Sequence, residues 1–379
     1  MRWGLRERAT VICLLVAAAP SVRADDLDVG WDSDRNAYYV VEGKQSARLP
    51  IYDSGQVIIE REGDGFSVYA SNSARTFHFT RAELKAYLEM AARKKLDAAG
   101  KHDEAAAAYA RAVTLAPRMT EPYLDEAAAW VAAGKKPEAE QALAPLAAAN
   151  PLLVAWRVLD DARLAPLADW LPALGGKGTG TAALVADTGL LTRFAVAGST
   201  SLPVAAASIS WTGLDGSCGL ELVLVDRKSG AELLSINVAV FSQDDVSRYP
   251  DLRAPALAKV APTIAKVNRL LTLLDFQPGE AAADGLDDDS YKRHFCFPSA
   301  KLGIVTYRGV ARLLRGDTDL GQAKVDQYMG HAGVVPGAAV VTTMSRACDM
   351  CPDNWRVAVI PLPDAAPIGS PESRPADKQ

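Results

Sequence analysis

Residues 98–105 read Ala98-Ala99-Gly100-Lys101-His102-Asp103-Glu104-Ala105, and residues 132–139 read Ala132-Ala133-Gly134-Lys135-Lys136-Pro137-Glu138-Ala139, an offset of 34 residues. Tyr109 and Leu143 keep the same offset, as do Pro117 and Pro151. Each copy places a glycine where a first helix must stop and a small residue early in a second helix. Glycine accepts the positive φ that closes a helix, and alanine lets two antiparallel helices approach. The pattern therefore predicts repeated helical hairpins.

A helix–turn–helix unit repeating every 34 residues resembles the tetratricopeptide repeat family. Gly100 and Gly134 stand at its turn position, Ala105 and Ala139 at its small position, and Pro117 and Pro151 at its closing proline. Tyr123 and Trp130 fall where the family places large residues in the first helix of the second repeat. The resemblance covers about residues 84–151 and gives only two clear repeats. Leu152–Leu174, with Trp156 and Trp170, lacks the turn glycine and reads as a degenerate third repeat or a capping helix. What the resemblance implies is a helical module over residues 82–174 whose groove holds an extended peptide or a partner helix. Tyr109, Tyr123 and Trp130 are its candidate partner-binding residues.

Working outward, residues 25–81 read as a small β domain. AYYVVE (37–42), VIIE (57–60) and FSVYA (66–70) are β-branched and aromatic, separated by turn signals at Gly43, Asp53–Gly55 and Gly63–Gly65. Thr80 three residues before Glu83 has the spacing of a capping box. After the helices, Gly175–Thr181 (GGKGTGT) superficially suggests a phosphate loop. It lacks the GK[ST] ending and follows a helix instead of a strand, so it reads as a linker or wide turn. Residues 175–363 read as a β-rich domain. LELVLVD (220–226) and LLSINVAVF (233–241) flank a hairpin loop, and LGIVTY (302–307), AAVVTT (338–343) and RVAVI (356–360) are further strands. Residues 256–274 carry Leu257, Val260, Ile264, Val267, Leu271 and Leu274 at helical spacing, with Pro262 expected to kink or start the helix. Glu280–Asp289 reads as an acidic mobile loop, and residues 364–379 as a disordered tail. The expected fold class is α+β: a small N-terminal β region, helical hairpins, and a C-terminal mixed domain with antiparallel hairpins.

At the start, Arg2, Arg6 and Arg8 precede an apolar run at Thr10–Ala19, with a small-residue cleavage site at Ala24. This predicts a signal peptide over residues 1–24 and a periplasmic or secreted location. No later stretch is apolar enough to span a membrane. Cleavage takes four of the 41 basic residues and one of the 46 acidic ones, moving the net charge from −5 to −8. Such a balance speaks against nucleic acid as a partner.

Four cysteines then remain, Cys218, Cys296, Cys348 and Cys351, an even number suited to disulfides in an oxidising compartment. Four cysteines allow three pairings, and the sequence does not choose among them. Cys348 and Cys351 form a CxxC pair, which supports an alternative reading as an envelope thiol–disulfide or metal-binding protein. No set of four metal ligands is evident, and Asp32-Ser33-Asp34 misses the glycine and glutamate of a calcium loop. There is no GxSxG elbow, and His78, His102, His294 and His331 are isolated. No catalytic, cofactor-binding or metal-ligating residue is assigned. The expectation is an exported, non-enzymatic interaction or scaffold protein with a protein or peptide partner.

Overall fold

The computed structural model describes residues 27–32, 37–51, 57–70, 75–184, 196–212, 218–241, 250–285, 292–326, 328–345 and 354–363. The signal segment, Asp34–Asn36, Asp287–Asp289, Cys348, Cys351 and the tail lie outside these residues. The fold is α+β with antiparallel sheets. It divides into two compact units, residues 1–135 and 136–379. That division falls inside the stretch 82–174, so the helices of the repeat region are shared between two cores.

In the first unit, β1 (Leu27–Asp32), β2 (Ala37–Glu42) and β3 (Gln45–Arg48) form one meander; β4 (Val57–Glu62), β5 (Gly65–Ala70) and β6 (Arg75–Phe79) form another. Two-residue turns at Gly43-Lys44 and Gly63-Asp64 close the hairpins β2–β3 and β4–β5. The chain then enters α1 (Arg81–Ala98) through the expected capping box: Glu83 N donates to Thr80 Oγ1 (3.2 Å) and Thr80 N donates to Glu83 Oε2 (2.8 Å). Leu84 and Leu88, one turn apart on α1, pack with Leu27, Tyr38, Val40, Phe66 and Val68 in a shared core. α2 (His102–Leu115) packs on α1, and α3 (Glu121–Ala132) packs on α2. Ala105, Ala106, Ala108 and Ala112 are fully buried along α2, which is what permits the close approach of these helices.

The second unit opens with α4 (Lys136–Ala149) and α5 (Pro151–Asp160), followed by a run of 3₁₀ turns over Ala162–Leu174. Asn150 caps α5, accepting from Leu153 N (3.0 Å), with Pro151 at its first position. Three sheets follow. The first has the order β10-β9-β8-β7-β11, built from β7 (Val196–Ser199), β8 (Val204–Thr212), β9 (Cys218–Asp226), β10 (Glu232–Phe241) and β11 (Phe276–Pro278). The second has the order β12-β18-β19-β20, built from β12 (Glu280–Ala281), β18 (Tyr328–Val335), β19 (Ala338–Ser345) and β20 (Asn354–Pro361). The third is a meander of β13 (Ala283–Gly285), β14 (Lys292–Phe297), β15 (Leu302–Tyr307), β16 (Val310–Arg315) and β17 (Thr318–Lys324). The long helix α6 (Pro250–Leu273) packs against β10 and α5.

The second sheet is the middle layer. Val335, Ala338 and Val340 share a core with Val196, Ala205, Ala207, Ile209, Val223 and Val225 of the first sheet. Val334, Ala339, Val341 and Ile360 face the other way, into a core with Phe295, Phe297, Leu302, Ile304 and Leu313 of the third. Alternate residues of β18 and β19 thus go to opposite sides, as strand geometry demands. Where the first two sheets approach closest, only glycine fits. A Cβ on Gly333 would lie 2.1 Å from Val196 Cγ2 and 3.1 Å from Glu280 O.

Two expectations are corrected. Glu280–Asp289 does not begin as a mobile loop: β12 pairs with β18 and β13 with β14. Glu280 anchors the turn after β14, its carboxylate accepting from Ser299 N (2.8 Å) and Ala300 N (2.9 Å). The helix expected over 256–274 begins at Pro250 and runs through both Pro255 and Pro262. Pro262 removes one backbone hydrogen bond, but Val260, Ile264, Val267, Leu270 and Leu271 on the buried face hold the helix through that gap.

Gly333→Ala is expected to destabilise the fold by about 1–3 kcal/mol through overpacking. Adding Val196→Ala removes the opposing methyl and should recover part of that loss, a non-additivity read from urea titrations of both single variants and the double variant. Strictly additive losses would show that this contact does not set the sheet spacing.

Candidate functional site

The two bends quoted from the sequence have the same local geometry. Gly100 has φ +76° and Gly134 has φ +74°. At the first, Lys101 N donates to Leu96 O (3.0 Å) and Gly100 N to Asp97 O (2.9 Å); at the second, Lys135 N donates to Trp130 O and Gly134 N to Val131 O (both 2.9 Å). This six-to-one and five-to-two pairing satisfies carbonyls that a helix end would otherwise leave open. A Cβ at either glycine meets nothing within 4 Å, so the backbone angle, and not space, requires glycine there.

The second bend presents a composed surface. Lys135 Nζ sits 5.0 Å from the Trp130 ring centroid. The same ammonium donates to Asp103 Oδ2 at 2.7 Å, tying the second bend to the start of α2. Trp130 Nε1 donates to Glu126 Oε1 at 3.4 Å, one turn earlier on α3. Burial raises the Glu126 pKa above the usual carboxylate value, and the Trp130 hydrogen bond opposes that rise. The first bend carries its own pair, His102 Nδ1 and Asp97 Oδ1, 2.6 Å apart.

Of the three candidate partner-binding residues, only Trp130 reaches the surface; it is half-buried. Tyr109 is 2% exposed and packs with Ala86, Met90, Ala105 and Ala112 in the helical core. Tyr123 is also buried, and its hydroxyl donates to Pro117 O at 3.2 Å. Both tyrosines fill the spaces between alanine-lined helices and are closed to a partner. What spacing could not reveal is that Lys135, Glu126 and Asp103 gather around Trp130. The signal was there in part: Lys135 follows the turn glycine, and Glu126 lies four residues before Trp130.

The cysteines are not brought together within the described residues. Cys296 lies on β14, exposed and with a free thiol. The Cys218 side chain and the Cys348–Cys351 pair lie outside the described residues. Among the described residues, no group of three or more His, Cys, Asp or Glu side chains is placed to hold a metal ion. Nor is any helix among them long and apolar enough to cross a membrane.

The glycine-rich loop at 175–181 does bind a carboxylate, but the carboxylate is the chain's own. Asp275, just past α6, is fully buried, with φ +57°. Its Oδ2 accepts from Lys177 N (2.6 Å), and its Oδ1 accepts from Thr179 N (2.6 Å) and Thr179 Oγ1 (2.8 Å). Burial alone would raise its pKa. The hydrogen bonds from Lys177, Thr179 and the Ser201 hydroxyl outweigh this and hold it at about 2. Gly176 lets the loop lie against the helix end, because a Cβ there would stand 1.7 Å from Leu273 O. No protein-family model, curated protein or solved structure matches the chain.

Asp275→Asn is expected to lower the unfolding temperature at neutral pH, because an amide group offers these donors less than a carboxylate does. The depressed pKa adds stability that is present above the ordinary value of 3.8 and lost as the pH falls toward about 2. The gap between wild type and variant should therefore narrow over that acidic range in urea titrations. A gap independent of pH would show that the charge of Asp275 contributes nothing.

Proposed function

We propose that the chain is an exported, non-enzymatic interaction protein that holds a protein or peptide partner on the surface of its helical hairpins. The reading is carried by the paired bends, which stand 34 residues apart and share one backbone geometry. Repeated hairpins of the tetratricopeptide kind use such bends to set helices side by side and offer side chains along one surface. Trp130 is the anchor in this reading. A half-buried indole flanked by a cation and a carboxylate combines apolar area with fixed polar groups, and tryptophan is enriched among the residues that dominate binding energy. The −8 balance after cleavage at Ala24, derived from the 41 basic and 46 acidic residues, favours a partner other than nucleic acid.

The test compares wild type, Trp130→Ala and Tyr109→Phe as immobilised baits against an envelope extract. Wild type and Tyr109→Phe should retain the same partner, since the latter changes only the core. Trp130→Ala should lose it by at least tenfold, with its circular dichroism unchanged. Equal retention by all three baits, or retention of nothing by wild type, would remove this reading.

A further inference from the structure

We propose that the free edge of β20 accepts an extended segment of a partner protein, about four residues long, which joins the middle sheet as an added strand and carries acidic side chains on one face. This site lies wholly within residues 136–379 and does not rest on Trp130 or the helical hairpins.

β20 is the terminal strand of the sheet ordered β12-β18-β19-β20 and pairs only with β19. The register shows which backbone groups are free. Ala338 stands opposite Pro361, and Leu362 N donates to Gly337 O. Paired residues of an antiparallel ladder alternate between hydrogen-bonded and non-bonded positions. Counting back from Leu362, the groups of Ile360, Ala358 and Arg356 point to β19, and those of Val359 and Val357 point away from it. Pro361 falls on an outward position, where no N–H is needed. Among the described residues, no backbone hydrogen bond is made by the outward groups of Val357 or Val359.

This edge is recessed. Because its sheet is the middle layer, the two outer sheets extend past it and form walls. On one side stands the β9–β10 turn with Ser229 and Gly230, and on the other Gly309 and the end of β17 with Ala323–Asp326. Between them lies a cleft of about 440 Å³ floored by Arg356–Val359. Gly230 marks how near this wall comes to the edge: a Cβ on it would stand in ordinary van der Waals contact with β20, 3.9 Å from Val359 N and 3.7 Å from Val359 Cβ. At about 3.3 Å per residue, the four floor residues match an added strand of about four. Walls on both sides of the edge favour a single extended chain over the edge of a second folded copy.

Charge selects the occupant. Lys324 and Arg356 are exposed and line the cleft on the side of the third sheet. Among the described residues neither has an ion-pair partner. Asp326, the acidic residue in this cleft, is held by Thr343 Oγ1 at 3.3 Å. On the opposite face of β20, a smaller cavity of about 260 Å³ is lined by Ile209, Val223, Val225 and Val357, with Glu221 and Glu232 also in its lining and Arg356 bordering it as well as the larger cleft. An incoming strand alternates its side chains between these two faces. Acidic side chains fit the Lys324–Arg356 face, and apolar side chains fit the Val223–Val225 face. Main-chain hydrogen bonds supply affinity in this binding mode, and the alternating side chains supply selectivity.

The test uses two fluorescein-labelled peptides, Thr-Glu-Val-Glu-Val-Thr and its analogue with lysine in place of glutamate, titrated by fluorescence polarisation against the full mature chain. The glutamate peptide should bind at least tenfold more tightly than the lysine peptide, and Lys324→Glu with Arg356→Glu should reverse the order. Val359→Pro removes an outward N–H together with part of the valine packing on the core shared with the first sheet. It should therefore melt lower than wild type but stay folded by circular dichroism, while weakening the glutamate peptide at least tenfold. Val359→Ala, which loses the same packing and keeps the N–H, should bind as wild type does. Trp130→Ala should leave peptide binding unchanged, which separates this site from the helical one. Absence of binding to wild type at millimolar peptide, equal affinity for the two peptides, or full binding by a folded Val359→Pro variant would each overturn the proposal. A wild-type dimer by sedimentation that Val359→Pro converts to monomer would also overturn it, by assigning the edge to a second copy.

Discussion

Burial of the β18–β19 pair on both faces is the constraint on which the larger unit depends. Val334, Ala339 and Val341 face one neighbouring sheet; Val335, Ala338 and Val340 face the other. A strand covered on both sides has no polar face to spare, which is why the sequence from Ala332 to Val341 is almost continuously apolar. The outer sheets must also come close enough to touch this layer. Gly198, Gly279 and Gly333 mark where they do, since a Cβ on each would fall within 3 Å of another atom. A layer so enclosed can reach solvent only at its edges. One edge is occupied by the short strand β12, whose Glu280 is tied into the turn after β14. The other is β20.

A second regularity concerns anions. The chain repeatedly turns its backbone N–H groups onto its own carboxylates. Asp275 fills the glycine-rich loop. Asp226 caps the β9–β10 turn, its Oδ1 accepting from Ser229 N (2.7 Å), the Ser229 hydroxyl (2.8 Å) and Lys228 N (3.0 Å), which lowers its pKa. Such clusters of amides are the concavities that elsewhere receive phosphate. Here each is neutralised internally, and the carboxylate fastens a connection between elements. The likeness of GGKGTGT to a phosphate loop therefore reflects a shared backbone solution serving a different ligand.

Much of the architecture was legible because local rules governed it. The capping box at Thr80–Glu83, the turns at Gly43 and Gly63, and the positive φ at Gly100 and Gly134 all depend on residues within six positions of one another. β2 and β15 fall on the stretches whose β-branched and aromatic residues announce them. The weaker strands were not legible. β16 (VARLLR) and β17 (TDLGQAK) carry leucines, charges and glycine with little strand preference of their own; they are strands because they extend a meander over Ile304 and Phe297. The 3₁₀ run was likewise set by tertiary packing, with Leu164, Leu167 and Leu171 buried despite Pro166 and Pro172. At the candidate site, the spacing that located Tyr109 and Tyr123 could not tell an inward side chain from an outward one. In an alanine-rich bundle the few rings are the bulk that fills the gaps, so large residues there tend to be core.

On the two proposals, the units would recognise their partners by different physics. In the first unit the helical bends close their own carbonyls through Lys101 N and Lys135 N, so recognition at the bends falls to side chains. There the Lys135–Trp130–Glu126 arrangement is held from behind by a core that leaves little freedom to rearrange. In the second unit the middle sheet buries its side chains in two cores, and at its recessed β20 edge the outward backbone groups of Val357 and Val359 make no backbone hydrogen bond among the described residues. Backbone recognition accepts many sequences, so selectivity would have to come from the walls, where Lys324 and Arg356, without an ion-pair partner among the described residues, line one cavity and Glu221 and Glu232 line a second that Arg356 also borders. Charge separated across two faces of a single strand discriminates by alternation, because a shift of one residue turns every acidic side chain toward the glutamates. The pleat that forces β18 and β19 to be apolar on both faces is thus the same geometry by which the proposed edge site would read its partner.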